Sequence, residues 1–409
     1  MSRPVKAALA PGPQPQLPYG RQSIDQTDIA AVVKALRSER LAHGPLVGEF
    51  ELALAKAVGA RGAAACSSGT AALHLALAAL DVGEGDVCVV PAVTFLATAT
   101  AARFCGAEVV FADVDPDSGL MTGESLAAVT ERFPQGVRAV LPVHLGGRIC
   151  DMDAIAKVAR AAGASIVEDA CHAIGGFDSA GRPVGSCALS DAAAFSFHPV
   201  KTLAAGEGGA VSTPSPDRAE RMRRLANQGV TKDLDLLQDR ALSLDVDGQL
   251  NPWSYEQIEL GFNYRMNEME AALGLSQLAR LDRFVRRRRE LAGLYDAALR
   301  PLAPMVRPVS QRAGDRPTLH LYQVLIDFEG LGRGRAQVMR DMAACGIGTQ
   351  VHYIPLYRQP YFRKRNGEQA LAGAEAFYAR VLALPLFPAM ATNDVGRVVE
   401  ALTRVLGVG

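Results

Sequence analysis

Lys201 is the residue in this chain best placed for covalent chemistry. It follows the apolar run Ala192–Phe197, which reads as a buried strand, and His198-Pro199, where proline removes a backbone donor and ends regular pairing. Gly206-Glu207-Gly208-Gly209 comes next, a flexible stretch that lets backbone pass close to a neighbour. The chain has seven lysines, at 6, 34, 56, 157, 201, 232 and 364, and the other six lie in the leader, in polar helical stretches or in polar loops. Desolvation between an apolar strand and a glycine turn would lower the pKa of Lys201 and leave a nucleophilic amine. The competing reading is a lysine whose stem packs while its head reaches water.

Other chemically able residues sit at similar places. Cys66-Ser67-Ser68-Gly69-Thr70 leads straight into a helix, and free amides at a helix start favour an anion such as phosphate. A plain Ser/Thr cap is the simpler alternative. Phe95 stands at the mouth of another apolar run, where an aromatic can stack on a flat ligand or pack in the core. Asp169 ends the run Ala164–Glu168 and is followed by Ala170-Cys171-His172. A buried carboxylate there needs a partner, either structural or a protonated ring nitrogen.

These residues need a scaffold, and the sequence indicates one. Short apolar runs alternate with helical stretches: Gly62–Cys66, Val87–Pro91, Val109–Val114, Val137–Val143, Ala164–Glu168, Ala192–Phe197 and Gly209–Thr213. Such alternation predicts an α/β fold with a mostly parallel sheet covered on both faces. Ligands then bind beyond the carboxyl ends of the strands, where the residues above lie.

Composition narrows the function. The 409 residues include 43 basic and 43 acidic side chains, so no global field steers the chain to nucleic acid or an anionic membrane. The seven cysteines form no CxxC pair and no metal-ligand spacing, which predicts reduced thiols, no metal and a cytoplasmic location. No apolar stretch is long enough to span a membrane. Residues 1–17 read as a flexible, proline-rich leader.

Helices are predicted over Ile24–Arg37, with Ile29, Val32, Val33 and Leu36 at helical spacing, and over Glu49–Val58 and Ala71–Leu80. Leu225–Tyr264 is irregular. Asn267–Leu299 reads as one long helix broken near Leu281-Asp282, with Arg286–Arg289 on a solvated face. His320–Phe328 and Gly348–Ile354 read as strands; Ala336–Cys345, Phe377–Leu384 and Asp394–Leu406 read as helices. These last elements predict a smaller α+β domain over 276–409, after a large domain over 18–275.

Together, Ser68-Gly69-Thr70, Thr94-Phe95, Glu168–Ala173, Phe195–Lys201 and Gly206–Gly209 occur in the order seen in the DegT/DnrJ/EryC1/StrS family. The resemblance runs from Pro18 to about Leu406, nearly the whole chain. It implies a pyridoxal 5'-phosphate (PLP)-dependent transferase of fold type I that aminates nucleotide sugars. Pro18–Ile24, Gly261–Met266 with Ala271–Leu278, and Val351–Pro355 look like the branch acting in pseudaminic acid biosynthesis. That branch moves an amino group from L-glutamate to C4 of a UDP-linked 4-keto-6-deoxy-2-acetamido sugar.

The resemblance implies roles residue by residue. Lys201 would bond the cofactor and shuttle the proton. Asp169 would pair its ring nitrogen, Phe95 would stack on its face, and His172 would orient its edge or serve as a core histidine. Ser68, Gly69, Thr70 and Ser196 would hold the phosphate. Asn263 would reach the cofactor phosphate of a neighbouring subunit, giving a homodimer with shared sites. Tyr19, Leu41, Ala42, His352 and Tyr353 would line the sugar-nucleotide site. Many relatives carry Leu-Thr where this chain has Leu41-Ala42, so a side-chain hydroxyl is missing there. Two alternatives stay open: amination at C3 or C4 of another nucleotide keto-sugar, such as a dTDP-linked one, or a non-catalytic relative with a regulatory or scaffolding role. A subgroup that dehydrates instead has histidine at the lysine position, and this chain has Lys201.

Overall fold

The computed structural model describes residues 16–408. Its main sheet has seven strands: β1 (Gly62–Cys66), β2 (Val87–Pro91), β3 (Glu108–Ala112), β4 (Ala139–Val140), β5 (Ser165–Asp169), β6 (Ala192–Ser196) and β7 (Gly209–Thr213). Their order is β1-β7-β6-β5-β4-β2-β3, and only β7 runs antiparallel to its neighbours. The fold is the mostly parallel α/β sheet that the strand–helix alternation predicts. β1, β2 and β7 match the sequence reading, while the run 137–143 forms a strand only at Ala139 and Val140, with an isolated bridge from Val143 to Asp169. Pro142 has no amide to continue that ladder.

Alanine dominates the strands that face the site, as in β1 (GAAAC) and β6 (AAAFS). Small side chains let a helix lie close. The helix Gly69–Ala78 is buried on almost every side, as an apolar-all-round helix must be. It packs against β6, β7 and the helix Leu96–Phe104.

The irregular stretch after β7 holds a two-stranded ribbon, β8 (Val230–Thr231) with β9 (Glu256–Gln257). Beyond it, β10 (Val306–Pro308), β11 (Tyr322–Ile326) and β12 (Val381–Leu384) form an antiparallel sheet with its own apolar core. Leu17 joins that core; its N–H donates to Gly346 O at 2.9 Å and its carbonyl accepts from Gly348 N at 2.7 Å. Residues 1–15 of the predicted leader lie outside the described residues. Among the described residues, no helix is long and apolar enough to cross a membrane.

Several expectations change. Phe377–Leu384 is not one helix: a helix over Ala372–Arg380 hands over to β12. The four β12 residues are all buried, and periodicity alone cannot tell a short buried strand from a buried helix end. Gly348–Ile354 is not a strand. Only Gln350 pairs, with Ala383, and Val351 and Tyr353 then pack against the main core instead of continuing a ladder. The break in the long helix falls at Ala279-Arg280, where the Arg280 guanidinium grips Asp25 and Asp28. The arginine run is not a solvated face. Arg288 is buried and donates to the carbonyls of His320 and Leu386, and Arg287 and Arg289 also bond carbonyls.

The helix Gln26–Leu36 also departs from its pattern. Its buried residues are Asp28 and Ala35, whereas Ile29, Val33 and Leu36 are exposed. Asp28 is the anchor, accepting from Ser276 Oγ at 2.6 Å and Gln277 Nε2 at 2.7 Å as well as from Arg280. A fully satisfied buried carboxylate thus outranks the apolar stripe in orienting this helix.

Candidate active site

The strand ends meet at one cavity of about 450 Å³. Tyr19, Ser68, Gly69, Thr70, Phe95, Asp169, His172, Ser196, Lys201, His352 and Tyr353 all line it. Leu41, Ala42 and Asn263 do not. Ala42 lies in a separate surface cavity with Asn227 and Arg265, Leu41 is exposed, and Asn263 is exposed beside Asn227.

Lys201 sits where the turn after β6 closes, its own N–H donating to His198 O at 2.8 Å. Among the described residues, nothing hydrogen-bonds or ion-pairs its amine. Although the residue keeps some exposure on the cavity side, burial pushes its pKa below the ordinary lysine value, against the opposing influence of Cys171 and Asp169. Lys201 is therefore an amine predisposed to lose its proton.

Asp169 ends β5, in register with Ala194 of β6. Its Oδ2 accepts from Thr98 Oγ1 at 2.7 Å and its Oδ1 from Cys171 N at 3.2 Å. Thr94 and Thr98 hydroxyls lie 2.8 Å apart. Thr98 carried no signal in the sequence, because its partner lies 71 residues away. These bonds fix a buried carboxylate while leaving it lone pairs for a cationic partner.

Gly69 lines the cavity where the helix start meets the ends of β6 and β7. Ser68 caps the helix Gly69–Ala78 by accepting from Ala71 N at 3.1 Å, and its carbonyl accepts from Ala72 N at 2.9 Å. The Thr70 amide has no partner among the described residues and is available to an anion. A Cβ on Gly69 would lie 2.7 Å from Ser196 Cβ, and one on Gly209 would lie 2.2 Å from Ser68 O. Only glycine permits this closeness between the helix start and the ends of β6 and β7.

Phe95 is 53% exposed despite its size, so its ring is presented to the cavity and not spent in the core. Its centroid lies 5.8 Å from that of Tyr353. His172 and His352 are buried, and burial pushes both imidazoles down, that of His352 to about 3. Tyr19 packs its ring 5.5 Å from His352. Thr94, Cys171, His198, Glu207 and Gln350 also line the cavity, without having been assigned roles from sequence.

A lone amine, a fixed carboxylate, a presented aromatic face and a free amide in a glycine cradle suit a planar, phosphorylated aldehyde with a basic ring nitrogen. The DegT/DnrJ/EryC1/StrS aminotransferase family pattern matches residues 22–403.

The chain belongs to that family.

DegT/DnrJ/EryC1/StrS aminotransferases act on sugars and depend on PLP, so this chain is a sugar aminotransferase with PLP as its cofactor. The spore coat polysaccharide biosynthesis protein SpsC of Bacillus subtilis is 38% identical over 394 residues, 95% of this chain and 97% of SpsC. Helicobacter pylori PseC, an aminotransferase of pseudaminic acid biosynthesis, superposes with a TM-score of 0.85 at 26% identity, covering 96% of this chain and 99% of PseC. DesI, solved with its TDP-sugar product, gives a TM-score of 0.81 at 34% identity, covering 96% and 93% of the two chains.

Proposed function

We propose that this aminotransferase moves the amino group of L-glutamate to C4 of a UDP-linked 4-keto-6-deoxy-2-acetamido sugar, as in pseudaminic acid biosynthesis. The likeness to PseC supports the sugar. The observation that carries the chemistry is the unpartnered, desolvated Lys201 amine in one cavity with the braced Asp169 carboxylate.

When bound, PLP supplies an electron sink and carries nitrogen between the two half-reactions. The chain does the rest. Asp169 holds the proton on the ring nitrogen, which keeps the sink effective. Phe95 covers one ring face. The Thr70 amide, Gly69 and the Ser196 hydroxyl, with Ser68 closing the loop, anchor the phosphate. Lys201 Nζ would hold the cofactor and, as a free amine, would accept the proton lost from the donor carbon. Positioned proton transfer of this kind contributes about 10²–10⁴-fold. Tyr19, His352 and Tyr353 face the sugar.

The working unit in this reading is a homodimer with shared sites. Ile29, Val33, Leu36, Leu41, Trp253 and Leu260 are exposed on the single chain and would be available to a second copy. A second copy would cover them and bring its own Asn263, Leu41 and Ala42 toward the cavity.

DesI favours one second reading, amination of a dTDP-linked keto-sugar. One assay separates the two. The purified protein is offered L-glutamate with a panel of UDP- and dTDP-linked 4-keto sugars, and product and kcat/KM are measured. The proposal expects the UDP-linked 2-acetamido acceptor to lead by at least about tenfold; a dTDP-linked leader would replace it. Borohydride reduction with peptide mapping should find the cofactor on Lys201, and attachment to another lysine would end that assignment.

A further inference from the structure

His172 is held from two sides. The Gly146 N–H donates to its Nδ1 at 3.2 Å, so the neutral ring carries its proton on Nε2. Nε2 lies 3.4 Å from the Tyr353 hydroxyl oxygen. The ring therefore donates to Tyr353, and the phenol O–H must find its acceptor elsewhere. Burial, with Lys201 and His352 nearby, keeps His172 neutral, and burial pushes the Tyr353 phenol up so that it keeps its proton. The His320 ring backs His172 at a centroid distance of 4.6 Å.

The Tyr353 backbone is held as well. Gln323, fully buried on β11, accepts from Arg148 Nη1 at 3.0 Å and donates through Nε2 to the carbonyl of His352 at 3.2 Å. Arg148 is 2% exposed and forms no ion pair with a carboxylate among the described residues. Its guanidinium can only donate, so it fixes which way the Gln323 amide points. Gly146 closes the circuit. A Cβ there would lie 2.5 Å from Gln323 Oε1 and 2.8 Å from Arg148 Nη1, so the residue that sets the His172 tautomer also packs on the amide holding Tyr353.

We infer that Gly146, Arg148 and Gln323 form a positioning network that aims the Tyr353 hydroxyl into the cavity as a hydrogen-bond donor to an oxygen of the bound substrate. This rests on the aminotransferase reading in that both candidate oxygens, on the keto sugar and on the glutamate carboxylate, belong to its substrates.

The first test is structural. In full-length, PLP-loaded protein labelled with [15N]histidine, the His172 signal, assigned by its loss in His172→Gln, should report the Nε2–H form. An Nδ1–H form or an imidazolium would overturn the inference. The second test is a kinetic cycle over Tyr353→Phe, Gln323→Met and the double variant, with each half-reaction measured separately. Each single variant should raise KM about tenfold for one substrate with bound-cofactor absorbance unchanged, while Tm falls modestly because Arg148 or His172 loses its acceptor. The substrate affected identifies the oxygen: the keto sugar or glutamate. Adding Gln323→Met to Tyr353→Phe should cost less than about twofold more, because Gln323 acts through Tyr353. Losses that multiply, or a Tyr353→Phe enzyme with unchanged KM for both substrates, would overturn the inference. If Gln323→Met does not fold, Gln323→Glu serves instead. It keeps the Arg148 contact, removes the donor to His352 and should give the same KM change. Wild-type protein inactive in both half-reactions would defeat the aminotransferase reading, while the tautomer measurement would still decide this one.

Discussion

Thr98 Oγ1 donates to Asp169 Oδ2 across 2.7 Å, with both residues buried. The bond pins the direction of the carboxylate. Asp169→Asn keeps the shape and loses the charge, so half-transamination with glutamate should fall by orders of magnitude. Thr98→Val keeps the charge and frees the carboxylate to turn, with an expected loss of about tenfold. Stopped-flow absorbance measures both. Near-normal rates for Asp169→Asn would mean that the ring nitrogen is protonated by another group or need not be.

A methyl group on Gly69 would meet Ser196 Cβ at 2.7 Å and Cys171 Sγ at 3.2 Å. Gly69→Ala should therefore push the helix start away from β6, costing about 1–3 kcal/mol of stability and weakening PLP at least about tenfold. Adding Ser196→Gly removes the nearest clash and should recover part of the stability but not the phosphate contact. Thermal unfolding and cofactor titration measure the two effects independently. Unchanged cofactor affinity in Gly69→Ala would show that the cradle is not the phosphate site.

Burial lowers the pKa of Lys201. A lowered pKa means that the free amine appears as pH rises through a value below that of an ordinary lysine. In cofactor-free protein, competitive labelling with an amine reagent should thus modify Lys201 at lower pH than a lysine side chain in a small reference peptide. Mass spectrometry across a pH series reads the order. Lys201 labelling only at a pH above the reference would contradict it.

Asn263 is exposed and stands outside the Lys201 cavity of its own chain. If it serves the other subunit, Lys201→Ala and Asn263→Ala dimers should complement. In a mixed dimer one site carries both lesions and the other is wild type. Random remixing makes about half the dimers mixed, so roughly a quarter of wild-type activity should return in a two-fold dimer. Asn263→Ala alone must lie well below that level for the comparison to count. No recovery despite proven subunit exchange would mean that Asn263 does not act across the interface.

Much of the lining of the candidate cavity was legible along the chain. Asp169 ends β5, and Gly69 and Lys201 lie within a few residues of the ends of β1 and β6; in a parallel sheet the carboxyl ends converge, so local order along the chain already implies proximity in space. The glycines were readable for the same reason, since a residue without a side chain marks close backbone approach. What the sequence could not show are relationships set by packing. Thr98 reaches Asp169 across 71 residues, and Gln323 meets Arg148 across 175. Arg288 lies inside an arginine run that reads as solvated, yet it is buried on carbonyls. The apolar stripe of Gln26–Leu36 faces outward because Asp28 is held by Ser276, Gln277 and Arg280. Side-chain periodicity reports which faces of an element differ. Which face is buried depends on the hydrogen-bond partners that distant segments bring, and only the tertiary structure decides that.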